Sequence, residues 1–460
     1  MSAFLQQDGH YVVVGLGASG LSAVCYLHQL GFLVSVMDAN ESPALAAQLP
    51  KDVTCVFGAF DEALLCAATG IVISPGVNPA HPAIVKAKAT GVPVVSDVQL
   101  CIDECHARQI PIVAITGSNA KSTVTTLVGE MAKTAGVPVG VGGNLGVPAL
   151  ELLKLPMQLC VLELSSFQLE HISHLNAQAA TLLNLSADHL DRHGDMHTYL
   201  QAKLAVFDGA KTAVLLTDDE QLATQCQLYL NQHAKADVVM VGSQAPVAAR
   251  AFGIVKDDGV LYLAQADKKL LSANDLLIKG VHNVVNALFA LALGQAVGLP
   301  MTAMLDTLRT FKGLPHRCEY VATVDNRAYF NDSKGTNIGS TMAALTGLGE
   351  VYGEKSLALI VGGQGKGQDF SELAPLLERY VHTLLTIGED APKITQELQK
   401  ANLTTPIVAC HTLEKAVTTA STLAVSVVLL SPACASFDQF RGFPHRGEVF
   451  VSLVHQLIND

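Results

Sequence analysis

The sequence predicts an α/β protein built from parallel sheets with helices on both faces, divided into three domains. Three observations carry that expectation. Apolar runs of strand length alternate with helical stretches almost throughout. Several runs lead directly into loops rich in glycine, lysine or acidic residues. At 460 residues the chain is also too long for a single core. The strand-like runs cover residues 11–14, 34–37, 71–74, 112–116, 159–162, 181–184, 213–216, 357–361, 384–387 and 427–430. Strand, loop and helix in repetition give parallel sheets covered on both faces. A polar, helix-patterned stretch at 96–110 precedes a fresh strand at Ile112, and Lys312-Gly313-Leu314-Pro315-His316 interrupts the chain after an amphipathic helix. Domains are therefore expected at 1–98, 99–313 and 314–460.

Composition narrows the function. Half the residues are hydrophobic and 15% are charged, as in a large folded enzyme. Lys and Arg total 29 against 41 acids, a net charge of -12, with no basic run, so nucleic acid is not an expected partner. A chain this acidic must concentrate its few cations wherever it binds phosphate. The first ten residues are polar and show no signal-peptide pattern. The most apolar stretch, 423–435, is broken by Ser426, Ser431 and Pro432, so it reads as a buried strand entering a loop and no membrane insertion is expected. The ten cysteines are scattered, which fits reduced thiols in a cytoplasmic protein. Cys101 and Cys105, followed by His106, could be half a metal site; without a second pair the spacing reads as two thiols on one helical face.

In the first segment, the strand at 11–14 runs into Gly15-Leu16-Gly17-Ala18-Ser19-Gly20, an apolar helix follows, and the next strand ends at Asp38. This is Gly-x-Gly-x-x-Gly in its required context, with an acid at the expected distance, and it predicts a Rossmann-like domain. Glycines let the backbone approach a diphosphate, and the helix N-terminus offers free N–H groups. A tight turn that needs glycine for packing alone is the competing reading. Ser74-Pro75-Gly76-Val77-Asn78 leaves a second strand at the same sheet edge, where ligands bind.

The second segment opens with the strand 112–116, then Gly117-Ser118-Asn119-Ala120-Lys121-Ser122-Thr123 and a helix. That order belongs to a P-loop, with backbone N–H groups around phosphates, Lys121 reaching the terminal ones and the Ser122 hydroxyl on Mg²⁺. Ile115 and Ala120 stand where the general pattern has glycine. An ordinary helix start with a solvated lysine is the alternative. Glu163 ends the strand 159–162, where a further metal ligand is needed, and Asp188-His189-Leu190-Asp191-Arg192-His193 packs charge too densely to hide without partners. A central P-loop ATPase-like parallel sheet is expected.

In the third segment three polar loops follow strands: Asn331-Asp332-Ser333-Lys334-Gly335-Thr336-Asn337, Gly362-Gly363-Gln364-Gly365-Lys366-Gly367, and Ser431-Pro432-Ala433-Cys434-Ala435-Ser436. Each alone is turn-like. Together, at strand ends, they occupy the substrate edge of a third, Rossmann-like α/β domain.

These motifs resemble those of the Mur ligase family along nearly the whole chain. Thr116 to Thr123 is similar to that family's phosphate loop, whose usual form has Gly where Ala120 stands. Glu163-Leu164-Ser165-Ser166-Phe167-Gln168-Leu169, the Asp188–His193 block, Gly280-Val281-His282-Asn283 with Asn286, and Pro315-His316-Arg317 continue the resemblance. The Asp-Ser-Lys and Ser-Pro-Ala-Cys-Ala-Ser blocks look like the branch that adds D-glutamate.

The resemblance implies an ATP-dependent ligase that joins D-glutamate to UDP-N-acetylmuramoyl-L-alanine through an acyl phosphate, in peptidoglycan precursor synthesis, as a monomer. It implies ATP on Gly117, Ser118, Asn119, Ala120, Lys121, Ser122 and Thr123, with Asn286, Arg317 and Asp332 contacting the nucleotide. Two Mg²⁺ ions are implied, one held by Ser122 and Glu163, the other by His189 and a Lys203 carbamylated by CO₂. The UDP precursor would meet Ala18, Ser19, Asp38, Gly76 and Asn144. D-Glutamate would meet Thr336, Lys366, Ser436 and Phe443, with Lys334 near the transferred phosphate. Two rivals remain at this point. A nicotinamide-dependent oxidoreductase fits the first segment but leaves Lys121, Glu163 and the Asp188–His193 block unexplained. A non-catalytic nucleotide-binding protein has only Ala120 in its favour.

Overall fold

Val12, Val13 and Val14 alternate between the two faces of one strand, and all three are inaccessible to solvent. A strand this apolar on both sides must be central, with helices above and below. In the computed structural model, which describes residues 4–278, 280–365 and 367–459, that strand (His10–Val14) is the middle of a five-stranded parallel sheet. The order across it is Thr54–Phe57, Leu33–Asp38, His10–Val14, Gly70–Ile73, Val94–Ser96. The chain reverses direction of travel across the sheet between His10–Val14 and Gly70–Ile73. The loops leaving these two strands therefore flank the crevice where such sheets bind ligands.

The second sheet has nine strands, and Ile112–Thr116 lies within it between Ala179–Leu182 and Leu159–Glu163. Pairing there is parallel, and Ile115 stands beside Glu163. The far edge departs from the all-parallel expectation: Phe252–Asp257 pairs antiparallel with Val260–Gln265, and Lys268–Ser272 extends that edge. Asp258 (φ 46°) and Gly259 (φ 79°) make the turn, the left-handed pair that a two-residue hairpin needs.

The third sheet repeats the device. Glu319–Val324 pairs antiparallel with Arg327–Asn331 through Asp325 and Asn326, again both at positive φ. Val427–Leu430, Leu357–Gly362, Val381–Ile387 and Ile407–His411 then continue in parallel.

The chain forms two compact units. The first comprises Met1–Asn184, His197–Leu271 and Ala287–Leu308 and carries the first two sheets; the second comprises Leu185–Met196, Ser272–Asn286 and Arg309–Asp460 and carries the third. Within the first, the polar stretch read as helical is the helix Asp97–Ala107, capped by the Ser96 hydroxyl accepting from the Gln99 N–H at 3.2 Å. Among the described residues no helix is long and apolar enough to cross a membrane.

Candidate active site

The first glycine loop is built for close backbone approach. A Cβ on Gly20 would lie 1.8 Å from the Gly15 carbonyl oxygen, so only glycine fits where the helix packs on the loop. Asp38 accepts from the Leu16 N–H at 2.6 Å, and the Ser74 hydroxyl donates to the Gly15 carbonyl at 2.7 Å, tying both loops together. Between them lies a cavity of about 600 Å³. Ala18, Ser19, Asp38 and Gly76 all line it. Asn144 does not: its side chain donates to Glu163 Oε1 at 2.7 Å, and its N–H donates to the Glu163 carbonyl.

The phosphate loop follows Ile112–Thr116 and ends at the helix Lys121–Thr134, whose N-cap residue Ala120 is left-handed, φ 64° and ψ -5°. This is a glycine conformation carried by an alanine. The Lys121 ammonium donates to the carbonyls of Gly117 (2.8 Å) and Ser118 (2.9 Å). Lys203, buried on the helix Met196–Leu204, donates to the same Gly117 carbonyl at 2.8 Å and lies 4.7 Å from the Tyr199 ring centroid. The Ser118 hydroxyl is 3.3 Å from that tyrosine's hydroxyl. Both ammonium groups thus reach the same loop oxygen. Ser122 and Thr123 are buried at the helix start.

Glu163 supplies the complementary feature. Its Oε1 takes the Asn144 bond, while its Oε2 is buried with no hydrogen-bond partner. An orphaned carboxylate oxygen is costly unless something cationic meets it. With the Ser122 hydroxyl as the other hard oxygen donor, the residues fit Mg²⁺.

Asn184 holds the loop in place and was not singled out by its spacing. Its side chain accepts from the Asn119 N–H at 2.8 Å and donates to the Asn119 carbonyl at 3.2 Å, and its carbonyl accepts from Ser118.

In the second unit, His189 is left-handed (φ 55°), and its N–H donates to Asp188 Oδ1 at 3.0 Å. Asp188 Oδ2 accepts from the Asn337 side chain at 3.3 Å. Asp332 is buried; it accepts from the Ser431 hydroxyl at 2.7 Å and the Cys318 N–H at 3.1 Å. Burial pushes its carboxyl up to about 6, against the pull of Ser431, Arg317 and Arg446. The geometry thus brings Arg317 and Asp332 into one electrostatic cluster. Asn286 bonds instead to Asn283 on its own helix, at 3.2 Å.

Lys334 stands 5.2 Å from the Phe443 ring centroid, and the Thr336 N–H donates to the Lys334 carbonyl at 2.9 Å. Ser436 is buried, and its hydroxyl lacks a hydrogen-bond partner. Lys366 lies outside the described residues.

Arg446 was missed altogether. It is 1% exposed and donates to the Ser333 hydroxyl (3.0 Å) and to the carbonyls of Ser333 (2.8 Å) and Cys434 (3.1 Å). One side chain thereby joins the loop that carries Asp332 to the loop that carries Ser436. Burial lowers its ionisation to about 10.

These features define an α/β protein with a phosphate loop, a metal-competent carboxylate and a separate Rossmann-like cavity. Comparison with known proteins makes the class specific. Family models match in order along the chain: Mur ligase MurD-like N-terminal domain at 9–96, Mur ligase middle domain at 115–294, and Mur ligase glutamate ligase domain at 316–434. The chain is 53% identical to the UDP-N-acetylmuramoylalanine–D-glutamate ligase of Psychrobacter arcticus, over 98% of this chain and 95% of that one. It is 51% identical to the protein of the same name from Acinetobacter baylyi, over 99% and 100%. Among solved structures it resembles the UDP-N-acetylmuramate-alanine ligase of Thermotoga maritima (TM-score 0.61, 18% identity, 97% and 99% covered). MurF of Acinetobacter baumannii is similar in fold (TM-score 0.62, 16% identity, 98% and 90% covered). The chain belongs to the Mur ligase family.

Proposed function

We propose that this chain joins D-glutamate to the L-alanyl carboxylate of UDP-N-acetylmuramoyl-L-alanine, using ATP and passing through an acyl phosphate, as a step of peptidoglycan precursor synthesis. The observation that carries the reading is the Lys121 ammonium on the Gly117 and Ser118 carbonyls of the phosphate loop, in a chain that aligns from end to end with D-glutamate ligases. A cation on that loop is what ATP phosphates would need, and the relatives' names point to the amino acid. On this reading Lys121 leaves the loop carbonyls and donates to the terminal phosphates. Asn184 holds the Ser118 and Asn119 N–H groups, and the helix start from Lys121 to Thr123 would offer backbone to the phosphates.

An oxygen of the precursor carboxylate attacks the γ-phosphorus, and the bond to ADP breaks. The amine of D-glutamate then attacks the acyl carbon and loses a proton, and phosphate leaves with the oxygen it received. Ser122 and Glu163 would hold Mg²⁺, which offsets the repulsion between carboxylate and triphosphate. His189 and a carbamylated Lys203 would hold a second ion; conversion of the Lys203 amine by CO₂ to a carbamate anion also removes one of two converging positive charges.

The Gly15 cavity would take the UDP end through Ala18, Ser19, Asp38 and Gly76, with Asn144 closer to the reacting centre. Asn286, Arg317 and Asp332 would contact the adenine nucleotide, Lys334 the moving phosphate, and Thr336, Lys366, Ser436 and Phe443 the D-glutamate. Domains at 1–98, 99–313 and 314–460, a cytoplasmic location and a monomeric state complete the proposal. The test is phosphate release from ATP in the presence of UDP-N-acetylmuramoyl-L-alanine, comparing D-glutamate with L-glutamate, L-alanine and diaminopimelate. Release specific to D-glutamate supports it; release with another amino acid in preference would replace it.

A further inference from the structure

Three thiols meet in a part of the first unit that the ligase reaction does not use. Cys101 and Cys105 lie one turn apart on Asp97–Ala107, so they share a helical face. The structure adds what their spacing could not show: Cys160, from the strand Leu159–Glu163, faces them. The three sulfurs lie within 4.8 Å of one another, and all three residues are inaccessible to solvent. Among the described residues this is the one group of three metal-competent side chains so arranged.

Geometry and charge together select the ligand. A three-coordinate ion with bonds of about 2.3 Å, usual for thiolate ligands, holds its sulfurs about 4 Å apart or less, so closure needs only a small inward movement. Thiolates are soft donors and choose soft ions. In a dry core the assembled complex must carry little net charge. Three thiolates leave a net negative charge around a monovalent or divalent ion and none around a trivalent one. We propose that Cys101, Cys105 and Cys160 form a binding site for a trivalent thiophilic ion of the arsenic(III) class.

The reaction is a substitution without redox change. Arsenous acid and three thiols give one tris-thiolate and three waters; three As–O and three S–H bonds break, and three As–S bonds form. A cavity of about 290 Å³ lies at the neighbours of two of the thiols, with His106, Pro111 and Ile112 in its lining. The Pro111 carbonyl accepts from the Cys160 N–H at 3.0 Å. Once formed, the complex clips the helix Asp97–Ala107 to the strand that ends at Glu163.

The test reads binding and stability, so it is independent of ligase activity. The full-length protein, reduced with a non-thiol phosphine, is titrated with arsenite. One arsenic per chain is expected, with the mass gain of arsenic less three hydrogens, resistance to dialysis against a monothiol, and an upward shift of the thermal midpoint. Cys160→Ser and Cys101→Ala, checked for folding by circular dichroism, should lose the adduct under that dialysis, while Cys55→Ser, at an exposed position, should keep it. X-ray absorption of the wild-type adduct should show three sulfur neighbours and no oxygen, which decides the matter even if a core variant fails to fold. Absence of an adduct, fewer than three sulfurs, an unchanged adduct in folded Cys160→Ser, or preferential binding of Zn²⁺ over arsenite would overturn the proposal.

Discussion

The phosphate loop of the first unit and the Asp332 loops of the second both place charge where water is scarce, and they satisfy it in opposite ways. At Gly117 two lysine ammonium groups converge on one backbone carbonyl. At Asp332 a buried carboxylate and the buried Arg446 sit among hydroxyls and carbonyls of the loops they join. The first arrangement sets ammonium groups on backbone carbonyls of one loop, and a phosphate is a stronger acceptor for such a donor. The second meets its buried arginine with groups of the two loops and fixes their position. Catalytic variants should therefore cluster in the first region and stability variants in the second.

The largest expected effect is at Lys121. Lys121→Ala should fold normally and lose at least about a hundredfold in turnover, as when a group that meets developing charge is removed. Phosphate release from a protein of unchanged thermal midpoint checks it, and near-normal turnover would erase the contrast between the regions. Lys203 comes next. Lys203→Ala should be nearly inactive and partly restored by acetate, which supplies carboxylate oxygens in place of the carbamate. Lys203→Arg should stay inactive because it keeps the positive charge; a fully active Lys203→Arg enzyme would rule out the carbamate.

In the second region the effects move to stability. Arg446→Met strips a buried cation from the groups arranged around it and should cost about 3 kcal/mol, read from the midpoint of urea unfolding. No loss of stability there would remove Arg446 as the tie between the two loops.

Asp332 gives a pH signature with a definite sign. Its folded carboxyl titrates near 6, above the unfolded value of about 4, so the folded state holds the proton more tightly. Stability contributed by that proton is full below about pH 4 and lost as pH rises towards 6. Asp332→Asn should flatten this part of the stability profile, by roughly 2–3 kcal/mol over the interval. An unchanged profile would mean that Asp332 is already charged when folded.

The smallest effect is expected at Ala120. Its φ of 64° is one glycine adopts freely, so Ala120→Gly relieves strain of about 1 kcal/mol, partly offset by the greater freedom of the unfolded chain. Activity should be retained; a large loss would show that the methyl group itself is needed in the phosphate loop.

The interior of the fold was legible from sequence because central strands are long apolar runs. Each of the ten runs overlaps a strand; 112–116 and 427–430 coincide with it at both ends, while 181–184 shares only its first two residues with Ala179–Leu182. Asp237–Val241, apolar and inside the second sheet, escaped as well, but other missed strands are of another kind. Val139–Gly143 is glycine-rich, and the hairpin through Asp258-Gly259 lies at a sheet edge, where sequence is more polar. The Asp-Asp-Gly turn was the available signal for that hairpin. In the candidate site, Gly15–Gly20 and Gly117–Thr123 are contiguous, so spacing reveals them. Asn184 and Arg446 act across 65 and 113 residues of sequence, and only folding brings them to their loops. The third thiol, Cys160, was hidden for the same reason.

The central claim is that the precursor's own carboxylate is activated by phosphoryl transfer, and one measurement addresses it directly. UDP-N-acetylmuramoyl-L-alanine labelled with ¹⁸O in the alanyl carboxylate is turned over with ATP and D-glutamate, and the released phosphate is analysed by mass spectrometry. Transfer of one carboxylate oxygen to each phosphate is predicted, because that oxygen attacks the γ-phosphorus and leaves with it. Phosphate free of the label, released together with the amide product, would contradict the account.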